Sequence, residues 1–115
     1  MKRISLITFL ICILFCNKIN AQNFKFAFVT DTHVGTKTGE EDLIRTVNDI
    51  NDNKDLDFVL LTGDITEMGT NSELQLAKKT LNKLEIPYYV VPGNHDTGWS
   101  ESGGVSFINE FGYDK

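Results

Sequence analysis

The stretch that decides the fold is Asp57-Phe58-Val59-Leu60-Leu61-Thr62-Gly63-Asp64, a short apolar run that ends in a glycine and an acid. Apolar runs of this length, closed by a turn residue, are typical of buried β-strands, so we predict a strand over residues 57–62. Two further runs, residues 24–30 before it and residues 88–91 after it, have the same aromatic and β-branched character. The sequence therefore predicts three short strands.

The segments between these strands have the periodicity of amphipathic helices. Apolar residues recur at helical spacing from residue 40 to about residue 51 and again from residue 72 to residue 84, where Pro87 prevents continuation. The spacing predicts that each helix begins with a capping box, Thr38 with Glu41 in the first and Ser72 with Gln75 in the second. The apolar positions are Leu43, Ile44, Val47 and Ile50 in the first helix, and Leu74, Ala77, Leu81 and Leu84 in the second.

This alternation predicts an α/β fold, a partial βαβαβ parallel sheet with helices on its faces. After the third strand the pattern weakens: residues 97–104 resemble a loop, and residues 105–111 a short helix that buries Phe107, Ile108 and Phe111. Three strands are few for a free-standing α/β domain. We therefore expect residues 22–115 to be the amino-terminal part of a larger domain.

Residues 1–21 differ from the rest of the chain. A basic start is followed by an apolar run at residues 4–16 and then by a polar stretch that ends in the small residue Ala21. This order predicts a secretory signal peptide cleaved after Ala21, and so an exported protein, periplasmic or secreted. The run is shorter than the roughly 20 residues that a membrane-spanning helix needs. A buried element of the fold is the alternative interpretation of residues 4–16.

Cleavage would change both the charge and the cysteine content. The leader contains Lys2, Arg3 and Lys18 and no acid, so its loss takes the formal net charge from −5 to −8. It also contains both cysteines, Cys12 and Cys16, which excludes a disulfide framework or a thiolate site in the mature chain. The acidic balance argues against stable binding to nucleic acid and against attachment to anionic membranes after cleavage.

Polar side chains follow each predicted strand at the point where it ends. The carboxyl ends of parallel strands lie at the same edge of a sheet, where α/β proteins bind their ligands, so we expect these side chains to converge. Asp31 and His33 are two residues apart, which would place both on the same side of an extended backbone. The residues concerned are Asp31, His33, Asp64, Asn94, His95 and Asp96.

Carboxylate, imidazole and amide ligands together suit a divalent first-row metal such as Mn, Fe or Zn. A carboxylate at a neighbouring strand end, Asp64, can place one oxygen on each of two ions, and the side-chain oxygen of Asn94 offers a neutral ligand. Gly63 and Gly93 allow the sharp turns that point the next residue into the cleft. Considered singly, each of these residues has a simpler interpretation as a turn or cap residue. Their common position after three strands favours a site.

At these residues the chain resembles the calcineurin-like metallophosphoesterases, whose motifs are Asp-x-His, Gly-Asp and Gly-Asn-His-(Asp/Glu). The matching motifs end at His33, Asp64 and Asp96, and the stretch from Val91 to Asp96 is the most specific. The resemblance implies metal-dependent hydrolysis of phosphomonoesters or phosphodiesters by two divalent ions and a bridging hydroxide. It implies that Asp31 and His33 bind the first metal, that Asp64 bridges and that Asn94 binds the second. It further implies that His95 acts beside the leaving group and that Asp96 orients His95.

Two departures from the family pattern matter. The family's later histidines have no counterpart here, because His33 and His95 are the only histidines. This predicts either a fragment that lacks the carboxyl-terminal half of the domain or a defective site. Glu67 stands where purple acid phosphatases carry a tyrosine, which disfavours that branch, and we expect its side chain to be solvated. Trp99 is expected to pack under its own loop rather than to stack on a substrate.

Two other functions remain open from the residues. The chain could be a non-catalytic remnant that binds one metal weakly or none, or a phosphate-binding, receiver-like α/β module. The receiver interpretation predicts a lysine on a later strand and residence in the cytosol, which the leader argues against. The substrate, within the enzyme interpretation, is a phosphate ester of unspecified type.

Overall fold

The computed structural model describes residues 23–112 and contains a parallel sheet of three strands in the order β1-β2-β3. The strands are β1 (Phe26–Thr30), β2 (Phe58–Thr62) and β3 (Tyr88–Val91). Thr30 pairs with Thr62, and Thr62 pairs with Val91, so the three carboxyl ends lie side by side. The predicted α/β class and the parallel sheet are confirmed, with β1 beginning two residues later than expected.

Four helices accompany the sheet within residues 23–112. They are α1 (Gly39–Asp52), α2 (Asn71–Leu81), α3 (Asn94–Thr97) and α4 (Val105–Phe111). In α1 the buried apolar residues are Leu43, Val47 and Ile50, which recur at the spacing of one helix face. Helix α2 ends before Pro87, as the sequence predicts, and Leu84 lies beyond its last turn in a half-buried position.

The buried apolar side chains form one cluster on a single face of the sheet. Val59 and Leu61 of β2 are fully buried there, and Val90 of β3 joins them. The helices contribute the opposite side of this cluster, with Leu43 and Leu74 almost completely buried. Burial of this apolar area, at about 25 cal/mol per Å², is the main favourable term that holds the helices on the sheet.

The other face of the sheet is aromatic and open to solvent in the part of the chain that the structure describes. Alternate residues of each strand point to opposite faces, so the same strands that supply the core also expose Phe28, Tyr89 and Val91 by 62%, 49% and 51%. The rings of Phe26 and Phe58 stack on this face with centroids 5.1 Å apart. An exposed apolar face of this kind favours self-association.

Both predicted capping boxes are wrong. Thr38 precedes α1 but makes no side-chain capping bond. Helix α2 begins two residues earlier than predicted, with Thr70 as N-cap: the backbone N–H of Glu73 donates to the Thr70 hydroxyl, and the N–H of Thr70 donates to the Glu73 carboxylate. The Thr70–Glu73 pair and the Ser72–Gln75 pair have the same spacing. The pair that forms the capping box is the one with a carboxylate, Thr70 with Glu73.

The carboxyl-terminal part also differs in detail from the expectation. Residues 94–97 form the helical turn α3 rather than entering a loop at residue 97, and α4 confirms the predicted helix. Phe107 and Phe111 are buried, but Ile108 is 66% exposed, so its predicted burial is wrong. The predicted leader at residues 1–21 lies outside the described residues and stays a prediction. Among residues 23–112, no helix is long and apolar enough to cross a membrane.

Candidate metal centre

Backbone pairing continues past the ends of β1 and β2 and carries the predicted site residues. The N–H of Asp31 donates to the carbonyl of Gly63 (3.2 Å), and the N–H of His33 donates to the carbonyl of Asp64 (3.0 Å). The hydroxyl of Thr32 donates to the carbonyl of Ile65 (2.8 Å). The two loops therefore leave the sheet as a bonded pair, and the candidate ligands are fixed relative to one another by the backbone.

Asp31, His33 and Asp64 all have left-handed backbone conformations. Their φ angles are 55°, 42° and 43°, and they are the non-glycine residues with positive φ in the described part of the chain. A non-glycine residue pays a conformational cost there, and such residues concentrate at functional sites. The extended backbone that we assumed for Asp31 and His33 is therefore wrong, although the two side chains do converge.

The three side chains meet at the carboxyl edge of the sheet. One ligand atom from each of Asp31, His33 and Asp64 lies within 4.8 Å of the other two. The Nε2 atom of His33 is 3.9 Å from Oδ1 of Asp31. Two carboxylates and an imidazole at these separations form a candidate site for one divalent cation.

Asp64 also lies against the loop that follows β3. A Cβ atom added to Gly93 would come within 2.1 Å of Asp64 Oδ1, so only glycine allows this approach. The N–H of His95 donates to the same oxygen (3.1 Å). Asn94 lies between Gly93 and His95 in the chain. It is the first residue of α3, and it is exposed. The three strand ends thus come together as predicted, and the ligand role of Asn94 stays a prediction.

His95 lies next to His33 on one side and Trp99 on the other. The two imidazole centroids are 4.8 Å apart, with the rings at 89°. The Trp99 ring centroid is 3.8 Å from that of His95, at a tilt of 36°. Trp99 therefore does not pack under its own loop as expected: it covers His95 and remains 58% exposed.

Glu67 is the residue of this site that the sequence did not reveal. Its carboxylate Oε2 lies 2.8 Å from Nδ1 of His33, and its backbone carbonyl lies 2.7 Å from Nδ1 of His95. An ionised carboxylate and a carbonyl only accept, so Nδ1 is the donor in both rings. In His33 this leaves the lone pair of Nε2 available to a metal, the arrangement that outer-shell carboxylates give to metal-binding histidines. The expectation that Glu67 is solvated is wrong.

Asp96 is completely buried and holds the loops rather than the His95 ring. Its carboxylate accepts hydrogen bonds from the N–H groups of Ile65 (3.1 Å) and Thr66 (2.9 Å) and from the Thr66 hydroxyl (2.7 Å). It also accepts from the N–H of Gly93 (2.9 Å). Since Nδ1 of His95 contacts Glu67 instead, any influence of Asp96 on His95 passes through the backbone, which corrects the direct orienting role that the resemblance implied.

The cleft beside the site has no cationic side chain in the described part of the chain. It has a volume of about 290 Å³ and extends from the end of β1 to the first turns of α1. Asp31 and Asp42 are among its walls, with His33 and the hydroxyls of Thr36 and Thr46. An anion would be repelled here unless bound cations reversed the local potential.

The fold and these donors define an α/β protein with candidate metal ligands at the carboxyl edge of its sheet. The sequence model described as calcineurin-like phosphoesterase matches residues 24–114. Because this match covers most of the chain, the chain belongs to the calcineurin-like phosphoesterase family.

Several curated proteins are similar over shorter stretches. A probable glycerophosphodiester phosphodiesterase of Arcobacter nitrofigilis is 58% identical over 40 residues, which cover 35% of this chain and 15% of that protein. A glycerophosphodiester phosphodiesterase of Enterobacter lignolyticus is 30% identical over 81 residues, 61% of this chain and 28% of that protein. A probable cyclic nucleotide phosphodiesterase of Vesicomyosocius okutanii is 29% identical over 72 residues, 63% of this chain and 28% of that protein. The chain thus spans less than a third of the length of each of these relatives.

Family membership implies divalent metal ions, and the residues present fit them. Asp31 and Asp64 supply hard oxygen donors, and His33 supplies a nitrogen whose free position faces Asp31. A second group of possible donors, His33, Glu67 and His95, also lies within 4.8 Å. In that second group both Nδ1 atoms are already hydrogen-bonded to Glu67, so Asp31, His33 and Asp64 are the better candidate ligands.

We expect Glu67 to set the metal affinity of His33. Glu67→Ala should weaken Zn²⁺ binding about 10- to 100-fold, because His33 loses the acceptor that holds its Nδ1–H. Glu67→Gln, which retains an oxygen acceptor, should weaken binding less. Calorimetric titration of Zn²⁺ measures the affinity, and the ¹⁵N shifts of the His33 ring report its tautomer.

The matched control is Glu85→Gln, an exposed carboxylate that pairs with Lys54 at 2.9 Å away from the site. It should leave both measurements unchanged. An unaltered tautomer and affinity in Glu67→Ala would show that the Glu67–His33 contact has no effect on the metal.

Proposed function

We propose that the chain provides the first part of a dinuclear active site that hydrolyses phosphodiesters. In this proposal Asp31, His33, Asp64 and Asn94 hold two divalent ions (Mn, Fe or Zn), with Asp64 between them. The observation that carries the proposal is the meeting of Asp31, His33 and Asp64 within 4.8 Å at one sheet edge. The matched relatives are named as phosphodiesterases, which supports diesters over monoesters.

The bound ions would supply Lewis-acid neutralisation of the phosphoryl oxygens and a water of lowered pKa. Residues of this chain orient the candidate metal ligands and give the site its negative charge. Glu67 fixes the His33 ring so that its Nε2 faces Asp31, and the Asp64 carboxylate is held by the N–H of His95. These contacts reduce the reorganisation needed when the ligands close on a cation.

In this proposal His95 serves the leaving group. Hydrolysis forms a bond from water oxygen to phosphorus and breaks the bond from phosphorus to the leaving oxygen, which must gain a proton. Nδ1 of His95 donates its proton to the carbonyl of Glu67, so the leaving oxygen would take its proton from Nε2 of the doubly protonated ring, which then becomes neutral. General acid catalysis of this kind typically contributes about 10²- to 10⁴-fold.

The test is metal-dependent turnover of a diester. A form that also contains the carboxyl-terminal half of the domain, freed of metal by chelation and then supplied with Mn²⁺ or Zn²⁺, should hydrolyse bis(p-nitrophenyl) phosphate faster than p-nitrophenyl phosphate. His95→Ala in the same preparation should lose most of the rate while it retains the metal. Calorimetric metal binding without turnover would favour the non-catalytic alternative, and no metal binding at all would overturn the proposal.

A further inference from the structure

A groove beside His95 lies outside the metal centre. It has a volume of about 460 Å³, and its walls include Met68, Trp99, Glu101, Ser102 and Ser106. Met68 and Trp99 expose 47% and 58% of their surface, so two large apolar side chains are accessible at this groove. Neither residue is among the candidate metal ligands.

The groove is joined to the candidate metal centre in two ways, by ring contacts and by the chain that follows Glu67. Trp99 contacts the His95 ring, which in turn contacts the His33 ring. Met68 and Gly69 directly follow Glu67, which holds both histidines, and a Cβ on Gly69 would come within 2.8 Å of the His95 carbonyl. His95 therefore stands between the metal ligands and the groove, so a group that extends past His95 from a phosphate at the metals enters the groove.

We propose that this groove binds the leaving group of the substrate and selects a planar aromatic group there, an aryl ring or a nucleobase. This inference rests on the proposed function, because that function places the phosphate at the metal ions. Trp99 offers an exposed ring for stacking, and the hydroxyl of Ser106 can bond the polar edge of a heteroaromatic ring. The Ser102 hydroxyl already accepts from the N–H of Ser106 (3.1 Å) and lies 3.3 Å from the Ser100 hydroxyl.

The charge of the groove restricts the ligand further. Glu101 is its only charged wall residue in the described part of the chain, with no Lys or Arg beside it. A leaving group that carries a second phosphate would be repelled by this carboxylate and would find no counter-charge. The groove thus fits an aromatic group that is itself uncharged, in a diester with a single negative charge.

The test uses Trp99 as its own reporter, since it is the single tryptophan of the sequence. The full chain in chelator, where no turnover occurs, is titrated with dimethyl phenyl phosphate and with trimethyl phosphate, two uncharged triesters that differ by one ring and that the acidic site does not repel. We expect a saturable change in Trp99 emission with the phenyl ester at about tenfold lower concentration than with the trimethyl ester. Equal responses, or none to the phenyl ester, would overturn the groove as an aromatic subsite.

Variants examined by saturation-transfer NMR assign the effect to the ring. Trp99→Ala should reduce the preference for the phenyl ester to within about twofold, whereas Trp99→Phe should retain most of it. Phe28→Ala, which removes an equally exposed aromatic side chain from the open sheet face, is the control and should retain the preference. An unchanged preference in Trp99→Ala would contradict the proposal. Failure of metal-dependent hydrolysis alone would leave these binding results standing, so the two proposals can fail separately.

Discussion

Asp64→Asn, in a form that contains the carboxyl-terminal half of the domain, should lower kcat/KM for a phosphodiester at least a hundredfold and weaken divalent metal binding while the fold stays intact. Asp64 lies beside residues from both neighbouring strand ends. Together with Asp31 and His33 it forms a group of possible metal ligands within 4.8 Å of one another, and its Oδ1 accepts from the N–H of His95. An amide at this position retains the shape but loses the negative charge that would attract two cations.

The fold should survive this change for two reasons. Asn is tolerated at the left-handed φ of 43° that Asp64 adopts, and its side-chain oxygen can still accept from the N–H of His95. Melting by circular dichroism should therefore match that of the unmodified chain, whereas calorimetry should show the loss of metal affinity.

Asp49→Asn provides the matched control, since Asp49 is an exposed acid on α1 and the same charge is removed. It should change neither turnover nor metal affinity. If Asp64→Asn binds metal and turns over substrate as well as Asp49→Asn does, the bridging role of Asp64 is wrong.

The strand ends could be predicted from the sequence because each signal there is local. An apolar run followed by Gly63-Asp64 or by Gly93-Asn94 gives both the strand and its end, and parallel pairing then brings the ends together without any knowledge of the side-chain contacts. The left-handed backbone at Asp31 and His33 could not be predicted in this way. It depends on the bonds that their N–H groups make to residues 63 and 64, which are distant in sequence.

Glu67 and Asp96 show why the roles of site residues were harder to predict than their positions. Glu67 is an acid in a turn, and only the folded chain brings it to two histidines that are themselves 62 residues apart. Asp96 follows His95 directly, which suggested that it orients the ring, but its carboxylate is turned inward toward four donors. Adjacency in sequence was a poor guide to the contact.

Asp96→Ala should destabilise the chain by about 3–5 kcal/mol, the largest effect on stability that we expect of any single change at the site. The carboxylate is 0% exposed and accepts from three backbone N–H groups and one hydroxyl. Its removal leaves the N–H groups of Ile65, Thr66 and Gly93 without this acceptor, and a buried donor without a partner costs about 1–3 kcal/mol.

The comparison that isolates burial is Asp57→Ala. Asp57 also accepts from a backbone N–H, that of Lys25 at 2.8 Å, but it is exposed, so water can replace the lost bond and the cost should stay below about 1 kcal/mol. For a domain of this size each kcal/mol shifts Tm by roughly 4–8 °C, so thermal melts separate the two variants clearly. Equal melting temperatures for Asp96→Ala and Asp57→Ala would mean that Asp96 does not hold the loops after β2 and β3 together.

Because the same loops carry Asp64, Glu67 and His95, a loss of stability in Asp96→Ala should be accompanied by weaker metal binding. This weakening should be measurable even at temperatures where the variant remains folded.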